Sequence, residues 1–136
     1  MNLADKPTSR KATAMENNFF EVIRKMGYNE FADVPYNTAA TRHIFEREYR
    51  RDISVVGEGR PCAGFVVDKN HRNGLEEHIV YSNALVVIRN HHTKKLITIL
   101  VARPAQIKRY YNALGFVAPS RIVELAFKHR QMGLNV

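Results

Sequence analysis

Four basic residues stand at helical spacing within the stretch AATRHIFEREYRRDI. At 100° per residue His43, Arg47, Arg50 and Arg51 share one arc, with Thr41, Phe45 and Tyr49 roughly opposite. An imidazole moves protons near neutral pH, and guanidiniums hold phosphate oxygens in two-pronged hydrogen bonds. That pairing suits chemistry on a phosphodiester. A second concentration closes the run LITILVARPAQIKRYY, where an apolar strand empties into Arg103-Pro104. Arg103 is expected between two elements, which would hold its planar fork of donors in place. Lys108 and Arg109 follow on the side away from Ile107 and Leu114, and Tyr110 offers a hydroxyl. Thr98 within the strand and His78 at the head of an earlier one add a hydroxyl and a second imidazole. Arg50, Arg89, Lys94, Lys95, Lys108 and Arg109 extend the basic surface and are the expected nucleic-acid contacts.

Metal chemistry finds little support. His43 and Glu46 are three apart on a helix, yet no second helical pair completes a site. The segment DKNHRN is similar to part of a His-Asn-His endonuclease but lacks the metal-binding helix that should follow. Neither metal nor cofactor is expected.

The bulk properties agree with a polyanionic partner. The 136-residue chain carries a formal net charge of +8 and a pI near 9.9, which favours nucleic acid or an acidic protein surface. From His78 to Val123 there is no acid, while Arg89, Lys94, Lys95, Arg103, Lys108, Arg109 and Arg121 all fall there. Acids concentrate earlier, so a field of one sign is expected over the second half. No apolar run approaches the roughly 18 residues of a membrane span. The single Cys62 excludes an internal disulfide and fits a reducing cytoplasm, the cell's own or that of a target into which the chain is delivered.

Around these groups the pattern predicts one α+β domain over residues 15–136, preceded by a flexible arm at 1–14. Phe19, Val22, Ile23 and Met26 give a first helix, with Gly27 as its stop. Asn37 or Thr38 can cap the second, which runs from Ala39 to Ile53. CAGFVVD, HIVYS, ALVVIR and KLITILVA read as short strands, the last three joined at hairpin distances. The simplest sheet is an antiparallel meander of three to four strands, with KNHRNGLEE as a long polar turn before His78. Within the last strand Leu96, Thr98, Leu100 and Ala102 should share one face and Ile97, Ile99 and Val101 the other. Pro104 suits the first turn of a helix that Gly115 ends, and a last helix runs from about Ser120 to Met132.

The segments RHIFEREYRRDIS, ALVVIRNHHTKKLITILVARP and ARPAQIKRYY resemble the basic helix, closing hairpin and Arg…Tyr tail of small barnase/colicin/RelE-like toxins of the BrnT branch. The resemblance spans roughly residues 39–111. It implies metal-independent RNA cleavage, with His43, Arg47, Arg51, Thr98, Arg103 and Tyr110 matching the pattern. The C-terminal helix and the glycine-rich segment 57–77 depart from it. A weaker similarity of KRYYNALGF to acetyltransferases lacks their glycine-rich pyrophosphate turn. The expected function is therefore RNA cleavage by 2′-hydroxyl attack, with His43 or His78 as base. Arg47, Arg51 and Arg103 would steady the phosphorane, and Tyr110 or the second histidine would act as acid. The alternative is a non-catalytic phage or mobile-element protein that binds nucleic acid, or inhibits an enzyme handling it, through the same surface. An acidic antitoxin, immunity or target protein is a further partner class; a membrane is not.

Overall fold

The computed structural model describes residues 11–25, 34–49, 53–69 and 74–135. Elements follow in the order α1 (Ala14–Lys25), α2 (Ala39–Glu48), a 3₁₀ turn (Ile53–Val56), β1 (Pro61–Lys69), β2 (Gly74–Tyr81), β3 (Leu85–Asn90), β4 (Leu96–Val101), α3 (Pro104–Ala113) and α4 (Ser120–Gln131). The strands form one four-stranded antiparallel sheet in the order β1-β2-β3-β4. The architecture is α+β: N-terminal helices, a meander, then C-terminal helices. Among the described residues no helix is long and apolar enough to cross a membrane.

Both faces of the sheet are covered. Ile79, Tyr81, Leu85, Val87, Leu96, Ile99 and Val101 pack with Phe20 and Ile23 of α1, Ile44 of α2 and Leu134 of the tail. Phe65, Val80, Val86, Ile88 and Ala102 pack on the opposite face with Ile107 of α3 and with Ile122 and Ala126 of α4. Period-two alternation delivers residues to two cores, which is why β3 and β4 are apolar almost throughout. Burying one such Val, Leu or Ile contributes about 1.5–3 kcal/mol, so pinning helices to both faces is strongly favoured.

Several boundaries differ from expectation, each for a local reason. Residues 1–10 of the expected arm lie outside the described residues, but Ala14 already begins α1. Thr13 Oγ1 accepts from the Glu16 N–H at 3.1 Å, and the Thr13 N–H donates to Glu16 Oε1 at 3.3 Å, a reciprocal capping box. The buried stripe of α1 centres on Glu16, Phe20 and Ile23 and leaves Val22 exposed; Met26 and Gly27 lie outside the described residues. In α2 Thr38 is the cap, its side chain accepting from the Thr41 N–H. The buried face comprises Ala40, Thr41, Ile44 and Glu48, while Phe45 is half-buried and Tyr49 exposed. Strand β2 starts at Gly74, so Leu75, Glu76 and Glu77 belong to the sheet and not to a polar turn. The β3–β4 register shifts between Ile88 and Arg89, which pair with Thr98 and Leu96. This bulge sends Leu96 to the side of Ile99 and Val101 and Ile97 to the side of Leu100, reversing both expected placements. Leu114 is exposed because α3 ends at Ala113 and Gly115 adopts φ 80°.

Asn83 ties the β2–β3 turn to the segment before β1. Its Nδ2 donates to the Gly57 carbonyl at 3.0 Å and its Oδ1 accepts from the Leu85 N–H at 3.2 Å. A Cβ at Gly59 would stand 2.5–2.7 Å from that carboxamide. Gly59→Ala is therefore expected to cost about 1–3 kcal/mol of stability, read as a lower urea midpoint. An unchanged midpoint would show that Asn83 is not a staple.

Candidate nucleic-acid interface

Strand β4 ends beside the start of α3, and a surface hollow of about 550 Å³ opens there. It is lined by Arg47 of α2, Leu100 and Val101 of β4, Arg103 at the junction, Ala105, Gln106 and Arg109 of α3, and Asn135 of the tail. Arg103 occupies the N-cap position of α3 and Pro104 its first turn. The positive end of the helix dipole thus joins the guanidiniums, and the site favours anions twice over.

Arg103 is held by its Nε atom, and Arg47 lies beside a buried acid. Arg103 Nε donates to the main-chain carbonyl of Asn135 at 3.0 Å. Arg47 Nε stands 3.2 Å from Oε1 of the buried Glu48. The Arg103 anchor leaves its terminal amino groups for a ligand and lowers the entropy lost when one binds. Glu48 also offsets part of the Arg47 charge. Asn135 is itself fixed, its Nδ2 donating to the Ala102 carbonyl at 2.8 Å and the Ala126 carbonyl at 2.9 Å. One buried carboxamide therefore clamps α4 to the strand exit, and the next atoms along the chain orient Arg103.

Beside the hollow runs a buried polar chain. The cross-strand row Phe65–His78–Ile88–Thr98 lies on the sheet face under α3. His78 Nε2 is 3.0 Å from Glu76 Oε1, and His78 Nδ1 is 2.6 Å from Tyr110 Oη. Gln106 Nε2 donates to the same phenol at 2.8 Å. Tyr110 stacks on Phe65 with centroids 5.2 Å apart, and Tyr111 meets Phe65 edge-on at 5.0 Å. Burial pushes the His78 pKa below its usual 6.5, against the hydrogen bond and charge of Glu76, which raise it. Burial likewise raises the phenol of Tyr110, with the Gln106 hydrogen bond opposing. A neutral imidazole beside a carboxylate keeps its proton on Nε2, so Nδ1 must accept from Tyr110.

The expected site residues are thus divided. Arg47, Arg103 and Arg109 meet around one hollow. His43 is exposed on α2 and does not line it; His78 does not line it either, and both its nitrogens are occupied. Thr98 is buried under α3, its hydroxyl 3.4 Å from the Ile99 carbonyl, so it does not present itself to a phosphate. Tyr110 serves the buried chain. Lys108 and Lys95 are exposed, and Arg50 and Arg51 lie outside the described residues.

Arg89 and Lys94 are paired with an acid. Arg89 Nε donates to Glu77 Oε2 at 2.7 Å, His91 Nδ1 lies 2.9 Å from Glu77 Oε1, and Lys94 Nζ bonds the same oxygen. Burial alone would raise the Glu77 pKa, but hydrogen bonds from Lys94, Arg89 and His91 hold it at about 2. The acid-free second half is therefore partly neutralised from the neighbouring strand. Glu48, Glu76, Gln106 and Asn135 carried no usable signal as site residues, since each acts through a neighbour distant in sequence or through burial. Among the described residues no group of three or more His, Cys, Asp or Glu is placed to hold a metal ion. No family model, curated protein or solved structure matches this chain.

Three outcomes follow. Asn135→Asp replaces the two donated bonds with a carboxylate facing two carbonyls and is expected to cost about 2–4 kcal/mol in urea unfolding at pH 7; wild-type stability would refute the clamp. His78 and His129 both have pKa values lowered by burial. Because the unfolded chain then binds protons first, stability should be level just above pH 6.5 and fall as pH drops below it. A further loss should come between about 4.5 and 2 as Glu77 protonates. Long-range ¹H–¹⁵N correlation should show His78 protonated on Nε2 at pH 7, and an Nδ1–H form would contradict the assignment.

Proposed function

We propose that this protein grips the phosphodiester backbone of a nucleic acid in the hollow formed by Arg47, Arg103 and Arg109, acting as a non-catalytic binding protein. A phage or mobile element would use such a protein to hold nucleic acid or to block an enzyme acting on it. The observation that carries the reading is that three arginines, from α2, the strand exit and α3, line one hollow at a helix N-terminus. Both candidate histidines lie outside that lining, which favours binding over cleavage. The net charge of +8 supplies the long-range attraction, and the arginines of the hollow supply the grip.

RNA cleavage of the barnase/colicin/RelE-like kind is a second reading, and one feature favours it. The Tyr110 phenol directs its proton at His78 and is hydrogen-bonded to Gln106 on the hollow wall. In that reading the 2′-oxygen attacks phosphorus as its proton passes to the phenol oxygen and the phenol's own to Nδ1 of His78; the P–O5′ bond breaks, solvent water protonates the departing 5′-oxygen, and the arginines steady the phosphorane.

Fluorescence anisotropy with a labelled single-stranded oligonucleotide separates these readings. Wild type is expected to bind with affinity that falls steeply with salt. Arg103→Ala and Arg109→Ala should each weaken binding about tenfold and reduce the salt slope by about one, while His43→Ala stays within twofold. No binding, or loss with His43→Ala alone, would overturn the proposal. Incubation of RNA in chelator should leave it intact; 2′,3′-cyclic phosphate ends that vanish in Tyr110→Phe would establish the second reading instead.

A further inference from the structure

The buried chain has a direction, and the direction reaches the hollow. The Glu76 carboxylate can only accept, so His78 donates from Nε2 and presents a lone pair at Nδ1. Tyr110 must spend its single proton on that lone pair, 2.6 Å away. Its oxygen can then only accept from the third member, and Gln106 turns its amino group to it at 2.8 Å. The carboxamide orientation is therefore dictated by a charge on the sheet. Gln106 lines the hollow, and its carbonyl oxygen takes no hydrogen bond among the described residues.

That oxygen is chemically unlike the cations around it. Arg47, Arg103 and Arg109 offer only donors, which suit the oxygens of a phosphate. An acceptor among them has nothing to gain from phosphate and requires a ligand group that carries a hydrogen. In a nucleic acid the hydroxyl nearest the backbone phosphate is the ribose 2′-OH, which DNA lacks.

We infer that Gln106 is the specificity-determining residue of the hollow, its carbonyl accepting from a ribose 2′-hydroxyl, and that Glu76, His78 and Tyr110 are positioning residues that hold this carboxamide in its reading orientation. The inference rests on the nucleic-acid-binding reading above and selects RNA within it. It also ties a buried charge to ligand choice. In Glu76→Gln the new amide can donate to Nε2, the imidazole proton moves to Nδ1, the phenol turns toward Gln106, and the carboxamide must present its amino group to the hollow.

The test compares three 12-nucleotide ligands of one sequence: RNA, DNA and 2′-O-methyl RNA, which can accept at the 2′ position but not donate. Wild type is expected to bind RNA roughly 3–10-fold more tightly than either of the others, the range of one hydrogen bond. Gln106→Ala should abolish that ratio, and Tyr110→Phe and Glu76→Gln should reduce it. Equal binding of all three ligands by wild type overturns the inference while leaving the binding reading intact. A ratio that survives in Gln106→Ala overturns it as well. Failure of every ligand to bind removes the underlying reading instead.

Discussion

Strands β2, β3 and β4 send apolar side chains to both of their faces, so one pair of helices cannot finish the core. The chain must leave β4, reverse over the second face and lay α3 and α4 on it. That reversal takes place at Arg103-Pro104, where proline supplies the φ a helix start requires and lacks the donor a helix start leaves idle. The same turn brings Arg103, Gln106 and Arg109 to the strand exit, where α2 contributes Arg47 from the first face. The hollow exists because two helical layers meet at one sheet edge. Its position is a consequence of two-sided burial before it is a matter of charge.

Covering the second face also decides what the polar residues there can do. Glu76 and His78 would be open groups on a bare sheet; beneath α3 they are about 6% exposed and must satisfy each other. Tyr110 closes the arrangement from above. Burial thus converts three titratable groups into a rigid, directional hydrogen-bond chain. On the other side of the strand Glu77 gathers Arg89, His91 and Lys94 and removes much of the positive field at the β3–β4 hairpin. The acid-free stretch therefore keeps less free positive charge at the β3–β4 hairpin than a count along the chain suggests.

Much of the fold was legible because period-two apolar runs and helix-breaking glycines are local signals. Pro104 and Gly115 marked the two ends of α3 correctly, and the hairpin spacing implied the meander. What escaped the sequence was non-local. The bulge at Ile88/Arg89 exchanged the faces of Leu96 and Ile97, and no propensity announces a bulge. Thr98 was named for its hydroxyl, but two helices cover its side of the sheet. Arg47 was named from the arc of α2, and Arg103 and Arg109 from the strand exit and the helix after it; the fold brings the three to one hollow. Asn135 could not, because its importance lies in two carbonyls that only folding brings near. His43 lay on the expected basic arc, yet an arc states which way a side chain leaves a helix and not which cavity it meets.

The central claim is spatial: nucleic acid enters at the β4 exit. Its most direct measurement is an NMR titration of the ¹⁵N-labelled protein with a short single-stranded RNA, following the arginine Nε–Hε and glutamine side-chain signals. The account predicts the largest shifts at Arg47, Arg103, Arg109 and Gln106, with Arg89 little changed in its pair with Glu77. Shifts concentrated at Arg89 and the β3–β4 hairpin, with the hollow silent, would contradict it.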